Sequence, residues 1–323
     1  MKTIEKVIKP IGGYFELQIE NCLSYHPSLI ALNTGRNALE YILRIRKYST
    51  IFIPFFTCDV LLEPLKKLNV AYYFYQLDRD LNPIIDFELG EHTCMLYTNY
   101  FGIKSETVEL LSKSIKNLII DNAQAFYAYP LENVDTFYSC RKFFGVPDGA
   151  YLYTTLDVHL NLLVDHSISR FSHLIKSIDF GIEEGYVDYL DNNKLLENNE
   201  IKKMSMLTQK LLAGIDYVKC AEIRRKNFNY LHKNLSKINM LKLNFVIEEV
   251  PMVYPLLIEE CGIKERLINN KIFVATYWPN VFDWIDTNRF EYFLSNNLIP
   301  LPIDHRYTIL DMREMLNVLN SIL

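Results

Sequence analysis

An aspartate at the end of an apolar run and a lysine further along are the residues whose types and positions could support chemistry. Residues 118–120 read Leu-Ile-Ile and lead directly into Asp121, which predicts a buried strand delivering a carboxylate at its carboxyl end. Ser139 stands three positions before Lys142. Because open α/β sheets build ligand sites at the carboxyl ends of their strands, we expect this acid, amine and hydroxyl to meet there.

These three groups match what one cofactor, pyridoxal phosphate (PLP), requires. It takes a carboxylate beside its ring nitrogen, a lysine that forms a Schiff base, and donors for its phosphate. An ionised Asp121 would favour a protonated ring nitrogen, and Gln124 is near enough along the chain to donate toward the ring hydroxyl. Ser139 could supply a hydroxyl to the phosphate. The aromatic residues after Lys142 predict a desolvated amine, which would help it form the Schiff base.

A second set of phosphate donors is predicted where the first helix begins. Residues 33–39, Asn-Thr-Gly-Arg-Asn-Ala-Leu, follow an extended run and open a helix, whose backbone N–H groups and dipole suit an anion. Gly35, Arg36 and Asn37 are therefore candidate cofactor-binding residues. For Arg141 two interpretations stay open, a phosphate contact or a side chain that faces water.

Taken singly, each of these residues has an ordinary structural explanation. Asp121 alone is more often a turn residue or a helix cap, and Lys142 alone is more often a solvated surface lysine. A capped helix start is equally common. The conjunction of the residues, rather than any one of them, carries the hypothesis.

Composition narrows the class of protein. With 323 residues, half of them hydrophobic, the chain can bury a large core. A formal net charge of -5 without a basic stripe disfavours a nucleic-acid partner. Residues 1–6 lack the apolar run of a secretory signal and no stretch reaches the length of a membrane span, so we expect a cytoplasmic protein. The six cysteines form no CxxC pair and the histidines lack ligand spacing, so no metal is assigned.

Short apolar runs alternate with helical patterns from about residue 28 to residue 155, which predicts an α/β fold with a mostly parallel central sheet and helices on both faces. The later pattern predicts a smaller C-terminal α+β domain that includes a strand at 272–274 and a last amphipathic helix around 312–319. Residues 191–200 resemble an exposed connection. We place a large PLP-binding domain with an N-terminal arm at 1–210 and the small domain at 211–323.

The sequence resembles the DegT/DnrJ/EryC1/StrS family of PLP-dependent sugar aminotransferases, within the fold-type I aspartate aminotransferase superfamily. The likeness extends over nearly the whole chain. The matching segments are an N-terminal entry at 12–15, a phosphate turn at 34–39, a strand end at 53–57, the Asp-Asn-Ala-Gln-Ala run at 121–125, Lys142, and C-terminal landmarks at 272–274, 277–279 and 301–303.

This resemblance implies a fold-type I homodimer with sites at the subunit interface, in which Asp121 pairs with the pyridine nitrogen, Gln124 contacts the ring hydroxyl and Ser139 holds the phosphate. Cys58 stands where many members stack an aromatic side chain on the cofactor ring, so that face would be covered by Asn99, by Tyr100 or in a different way. The family's Gly-Tyr-Asn-Tyr-Arg segment has no clear counterpart. Lys-Met-Ser-Met at 203–206 occupies that region.

Two functions from different classes follow. The first is a PLP-dependent aminotransferase that moves an amino group, from glutamate, onto a nucleotide-linked keto-sugar in surface polysaccharide or amino-sugar biosynthesis. Lys142 would be both the anchor and the general base. The second is a non-catalytic fold-type I homologue that uses its pocket for sugar binding or assembly, and the altered Cys58 and 203–206 regions motivate it.

Overall fold

The computed structural model describes residues 11–20 and 22–323. Residues 1–6, in which we find no secretory signal, lie outside these described residues. A sheet of seven strands forms the centre of the molecule, in the order β1-β7-β6-β5-β4-β2-β3. Strand β7 runs antiparallel to both of its neighbours, and all other pairs are parallel. The strands are β1 Ile30–Leu32, β2 Thr50–Pro54, β3 Ala71–Tyr75, β4 Thr93–Thr98, β5 Leu118–Asp121, β6 Asp135–Ser139 and β7 Ala150–Tyr153.

Helices connect these strands and cover the sheet. In the first part of the chain they are α1 Gly35–Arg46, α2 Leu62–Leu68, α3 Ser105–Ser114, α4 Ser172–Asp179, α5 Tyr186–Leu195 and α6 Met206–Ala213. Thr34 begins α1 as its N-cap, because its side chain accepts a hydrogen bond from the Asn37 N–H. Lys47 ends that helix in the left-handed conformation.

The C-terminal part is a small α+β unit, as predicted. Strand β8 Val253–Leu257 pairs antiparallel with β9 Leu298–Pro302. Around this pair lie α7 Tyr217–Leu235, α8 Ile263–Asn269, α9 Val281–Trp284, α10 Phe290–Asn297 and α11 Ile309–Ile322. The last helix buries Met312, Met315, Leu316 and Leu319, the apolar face predicted from their spacing.

The two faces of the sheet pack into different hydrophobic clusters. Ile119 of β5 lies in the cluster under α1 and α2, whereas its neighbours Leu118 and Ile120 lie in the cluster that continues into the C-terminal part. This alternation is the period of two expected for a strand covered on both sides. The predicted fold class is confirmed, while the boundary between residues 210 and 211 stays a prediction.

Two local predictions are wrong. Residues 272–274 form no strand, although their exposure alternates along the chain. Residues 191–195 belong to α5 rather than to an exposed connection, and the buried Asn192 Nδ2 donates to the Pro147 carbonyl at 3.0 Å.

Among the described residues, no helix has the length and apolar character needed to cross a membrane. The same residues contain no group of three or more His, Cys, Asp or Glu side chains arranged to hold a metal ion.

Candidate active site

Asp121 is the last residue of β5 and lies at the carboxyl edge of the sheet, which we define as the ends of β2, β4, β5 and β6. It is 6% exposed, and its Oδ1 accepts a hydrogen bond from the Ala123 N–H at 2.7 Å. Burial raises the pKa of this carboxyl above its ordinary value, while the nearby Lys142 charge and the Ala123 hydrogen bond lower it. The site therefore holds a largely enclosed acid whose ionised form needs a positive partner.

Lys142 ends the short helical turn Cys140–Lys142 that follows β6 directly. Its charge acts on Asp121, so the lysine lies near the aspartate at this edge of the sheet. The expected desolvation is absent in the single chain, because the Lys142 side chain is exposed. The physical reason is its direction: Phe143 and Phe144 turn into the core, while Lys142 points out of it.

Cys58 is the third functional candidate at this edge. It follows β2 and precedes the short turn Asp59–Leu61. Burial raises the pKa of its thiol, and the Lys142 charge lowers it. The charge of Lys142 therefore acts on both an acid from β5 and a thiol from the loop after β2, although the three residues are far apart in sequence.

Gln124 is buried and hydrogen-bonds to a turn with positive φ angles at residues 101–102. Its Oε1 accepts a hydrogen bond from the Phe101 N–H at 2.8 Å, and Phe101 has a left-handed backbone with φ of 58°. The next residue, Gly102, also has a positive φ, and a Cβ there would lie 2.8 Å from the Gln124 carbonyl oxygen. The Gln124 amide nitrogen has no acceptor in the described part of the chain, so it is left to donate.

The start of α1 meets the end of β6. A Cβ added at Gly35 would lie 3.7 Å from Phe137 Cδ2 and 4.0 Å from Ser139 Cβ. Within residues 11–20 and 22–323, the backbone N–H groups of Gly35 and Arg36 and the Ser139 hydroxyl have no hydrogen-bond partner. Three donors thus converge where the phosphate was predicted.

The prediction for Arg36 and Asn37 concerned their backbone N–H groups, and their side chains have protein partners. Arg36 forms an ion pair with Glu63. Asn37 Nδ2 donates to the Asn199 carbonyl at 2.9 Å, and the Asn37 N–H donates to Thr34 Oγ1 at 3.2 Å. The Asn37 N–H is therefore already used by the helix cap, while the Arg36 N–H stays a candidate phosphate donor.

Tyr100 cannot cover the cofactor ring as suggested, because it is fully buried and its hydroxyl donates to the Phe56 carbonyl at 2.8 Å. Asn99 is also buried, and its Oδ1 accepts from the Lys104 N–H at 3.0 Å. A C-terminal segment instead approaches the Cys58 loop: Asn280 Nδ2 donates to the Thr57 carbonyl at 2.9 Å.

Two contributions were not predicted from the sequence. Thr98 ends β4 directly opposite Asp121. Its hydroxyl has no hydrogen bond of good geometry, yet it lies close enough to Asp121 to lower the pKa of that carboxyl. The rule that identified Asp121, a polar residue ending an apolar strand, applies equally to Thr98. The other contribution comes from α5, where Tyr189 and Asn193 contact Arg141 beside Lys142.

No protein-family model matches the sequence, and neither does any curated protein. Solved structures do match. The sugar aminotransferase CalS13 from Micromonospora echinospora superposes with a TM-score of 0.66 at 13% identity, covering 91% of this chain and 87% of that one. The DegT DnrJ EryC1 StrS aminotransferase from Brucella abortus gives a TM-score of 0.59 at 14% identity, covering 91% and 85%. NtdA from Bacillus subtilis, solved with the cofactor PMP bound, gives 0.63 at 13%, covering 91% and 73%.

The chain has the fold of these aminotransferases. The fold implied by the sequence resemblance is thus confirmed, and its carboxyl edge carries the candidate site. The residues present also fit pyridoxal phosphate. Among the described residues, the Asp121 carboxylate has no ion-pair partner, the Gln124 amide nitrogen has no acceptor, and the start of α1 has unpaired N–H groups beside Ser139.

Proposed function

We propose that this protein is a PLP-dependent aminotransferase that transfers an amino group from glutamate to a nucleotide-linked keto-sugar. One observation carries the proposal: the enclosed Asp121 carboxylate and the Lys142 amine from the next strand lie together at the carboxyl edge of the sheet. The shared fold supports the reaction class. The keto-sugar, its nucleotide carrier, the cytoplasmic location and the polysaccharide pathway rest on the sequence resemblance.

Each residue has a defined task in this proposal. Asp121 holds a proton on the ring nitrogen, and Gln124 donates to the ring hydroxyl. Ser139 and the backbone N–H groups of Gly35 and Arg36 bind the phosphate. Bound PLP supplies an electron sink for the electron pair left at the α-carbon of the amine. Lys142 Nζ would take the proton from Cα of the amine and deliver it to C4′ of the cofactor.

A screen of amine donors by absorbance tests the function. We expect the purified protein with PLP to change its cofactor absorbance on addition of glutamate, since the amino group passes to the cofactor in this half-reaction. The Lys142→Ala variant serves as the control, because it keeps the residues assigned to the ring and the phosphate and lacks both the anchor and the base. A wild-type protein that binds PLP but reacts with no amine donor would contradict the proposal.

The non-catalytic alternative keeps one supporting observation. The segment that replaces the family's Gly-Tyr-Asn-Tyr-Arg run is built into its own chain: Lys203 bridges to Leu32 and Val164, and Met204 is fully buried. A protein that binds PLP, shows no half-reaction with any donor and still binds nucleotide-sugars would favour this alternative.

We propose that the protein is a homodimer with its sites near the interface. The exposed Lys142 amine and the exposed apolar side chains of α4 and α5 support this, since a partner would cover both. The apolar side chains are Ile175, Ile178, Tyr186, Val187, Tyr189, Leu190 and Leu195. Light scattering at micromolar concentration tests it, and a monomer that binds PLP and turns over would contradict it.

A further inference from the structure

The Arg141 side chain is held in place by neutral groups, which leave its positive charge uncompensated. It lies within the turn Cys140–Lys142, directly before Lys142. Its Nη2 donates to Asn193 Oδ1 at 2.6 Å, and its guanidinium carbon lies 5.8 Å from the centre of the Tyr189 ring. Among residues 11–20 and 22–323, no carboxylate oxygen lies within 4.0 Å of it. A neutral amide and an aromatic face fix its position but leave its positive charge available.

Arg36 and Arg170, the two cations whose charges act on Arg141, are already paired. Arg36 is bound to Glu63, and Arg170 contacts Asp165 at 2.7 Å and Asp148 at 3.6 Å. Burial lowers the pKa of Arg141, and the charges of Arg36 and Arg170 lower it further, while Tyr189 and Asp148 act in the opposite direction. The surroundings of Arg141 therefore favour an additional anion.

That anion has a place to bind. Arg141 lies two positions after Ser139, and its charge interacts with Arg36, the second residue of α1. Unpaired N–H groups and the free Ser139 hydroxyl are found at this helix start. We propose that Arg141 is the residue that selects for the phosphate group of the cofactor, with Tyr189 and Asn193 of α5 as the residues that position it. This inference rests on the proposed function and assigns a role that the prediction from sequence left open.

The alternative is that Arg141 only fastens α5 to the turn that carries Lys142. The phosphate-selecting role and the structural role differ in their effect on binding: the first involves only the phosphate group, and the second involves the whole cofactor. A phosphate-selecting arginine changes the affinity for pyridoxal phosphate but not for pyridoxal, which lacks the phosphate. A structural arginine changes both affinities together, because it moves Lys142.

Equilibrium binding of both compounds to the apo-protein distinguishes these roles without measuring activity. We expect Arg141→Gln to weaken pyridoxal phosphate binding by about 10- to 100-fold, which is about 1.4 to 2.8 kcal/mol, and to leave pyridoxal binding within about twofold. Arg141→Lys should recover part of the loss, since it restores the charge without the planar fork. Arg44→Gln, at the far end of α1 and 40% exposed, is the control and should change neither affinity.

An equal loss for both compounds, or no loss for either, would overturn the inference while leaving the proposed function intact. A wild-type chain that binds neither compound would refute the proposed function and the inference together. If Arg141→Gln does not fold, inorganic phosphate should protect Arg141 of the wild-type apo-protein, but not Arg44, from phenylglyoxal, as mapped by peptide mass spectrometry. Bound phosphate without protection of Arg141 would overturn the inference in that case.

Discussion

The Lys142 ammonium group stands close enough to Asp121 to lower the pKa of that buried carboxyl. The two residues come from neighbouring parallel strands, since Asp121 ends β5 and Lys142 follows β6. Burial acts in the opposite direction and is the larger effect. The apo-site therefore contains an acid whose charge is incompletely compensated, and a protonated ring nitrogen would complete the compensation.

The first prediction concerns the charge of Asp121 in the reaction. Asn at this position can accept the Ala123 hydrogen bond but cannot hold a proton on the ring nitrogen. Asp121→Asn should therefore bind PLP and slow the amine half-reaction about a thousandfold, which corresponds to roughly 4 kcal/mol of lost transition-state stabilisation. Single-turnover absorbance with the best donor measures this. Near wild-type rates would show that Asp121 is only a strand-end cap.

The same substitution, which should slow the reaction, should make the apo-protein more stable. The pKa of Asp121 is higher in the folded chain than its ordinary value. At a pH above the ordinary value, ionisation of this group therefore destabilises the folded protein. Asp121→Asn should therefore be more stable than the wild type at pH 7. The difference should shrink as the pH falls and vanish below about pH 4, where Asp121 is protonated in both states. Urea unfolding at both pH values checks this, and an advantage independent of pH would contradict it.

Gln124 should contribute to stability as well as to binding. Gln124→Leu leaves the buried Phe101 N–H without its acceptor, so we expect a loss of about 1–3 kcal/mol in the free energy of unfolding. Gln76, whose Oε1 accepts from the exposed Arg289, is a matched control, and Gln76→Leu should cost under about 0.5 kcal/mol. Equal effects of the two substitutions in urea unfolding would show that the Phe101 hydrogen bond is unimportant.

Much of the fold could be predicted because it depends on local periodicity. The run at 118–120 leads into Asp121 as β5, as predicted, and its residues alternate between the two faces of the sheet. The segment 272–274 alternates as well, yet it is not a strand. Strand β8 pairs with β9 instead, and a backbone without a partner strand forms no ladder. Such pairing is a long-range choice that a local pattern does not contain.

Some residues of the candidate site could likewise be predicted from local patterns, and others could not. Asp121 and Lys142 could be identified because strand ends and their following turns converge at one edge of a parallel sheet. The side chains of Arg36 and Asn37 could not be placed, because their partners Glu63 and Asn199 are distant in sequence. These tertiary contacts decide which of several neighbouring polar side chains turns toward a ligand.

The anchoring of the C-terminal end of α1 gives a prediction about stability. Arg46 donates two hydrogen bonds to the buried Asp135 of β6, at 2.6 and 2.7 Å. Arg46→Met leaves that carboxylate unpaired and should lower the free energy of unfolding by about 3 kcal/mol. Arg44→Met on the same helix should cost less than about 1 kcal/mol, because Lys67 still contacts Glu40 at 3.2 Å. Equal losses in urea unfolding would contradict the assigned role of the Arg46 pair.

Borohydride reduction of the purified protein in saturating PLP, followed by peptide mass spectrometry, tests the central claim most directly. Lys142 alone combines a position beside Asp121 with the serine three residues before it, and its exposed amine is accessible to the cofactor. We predict a single reduced adduct of the cofactor on Lys142, absent from the Lys142→Ala variant. A label on another lysine, or no label at saturation, would contradict the account.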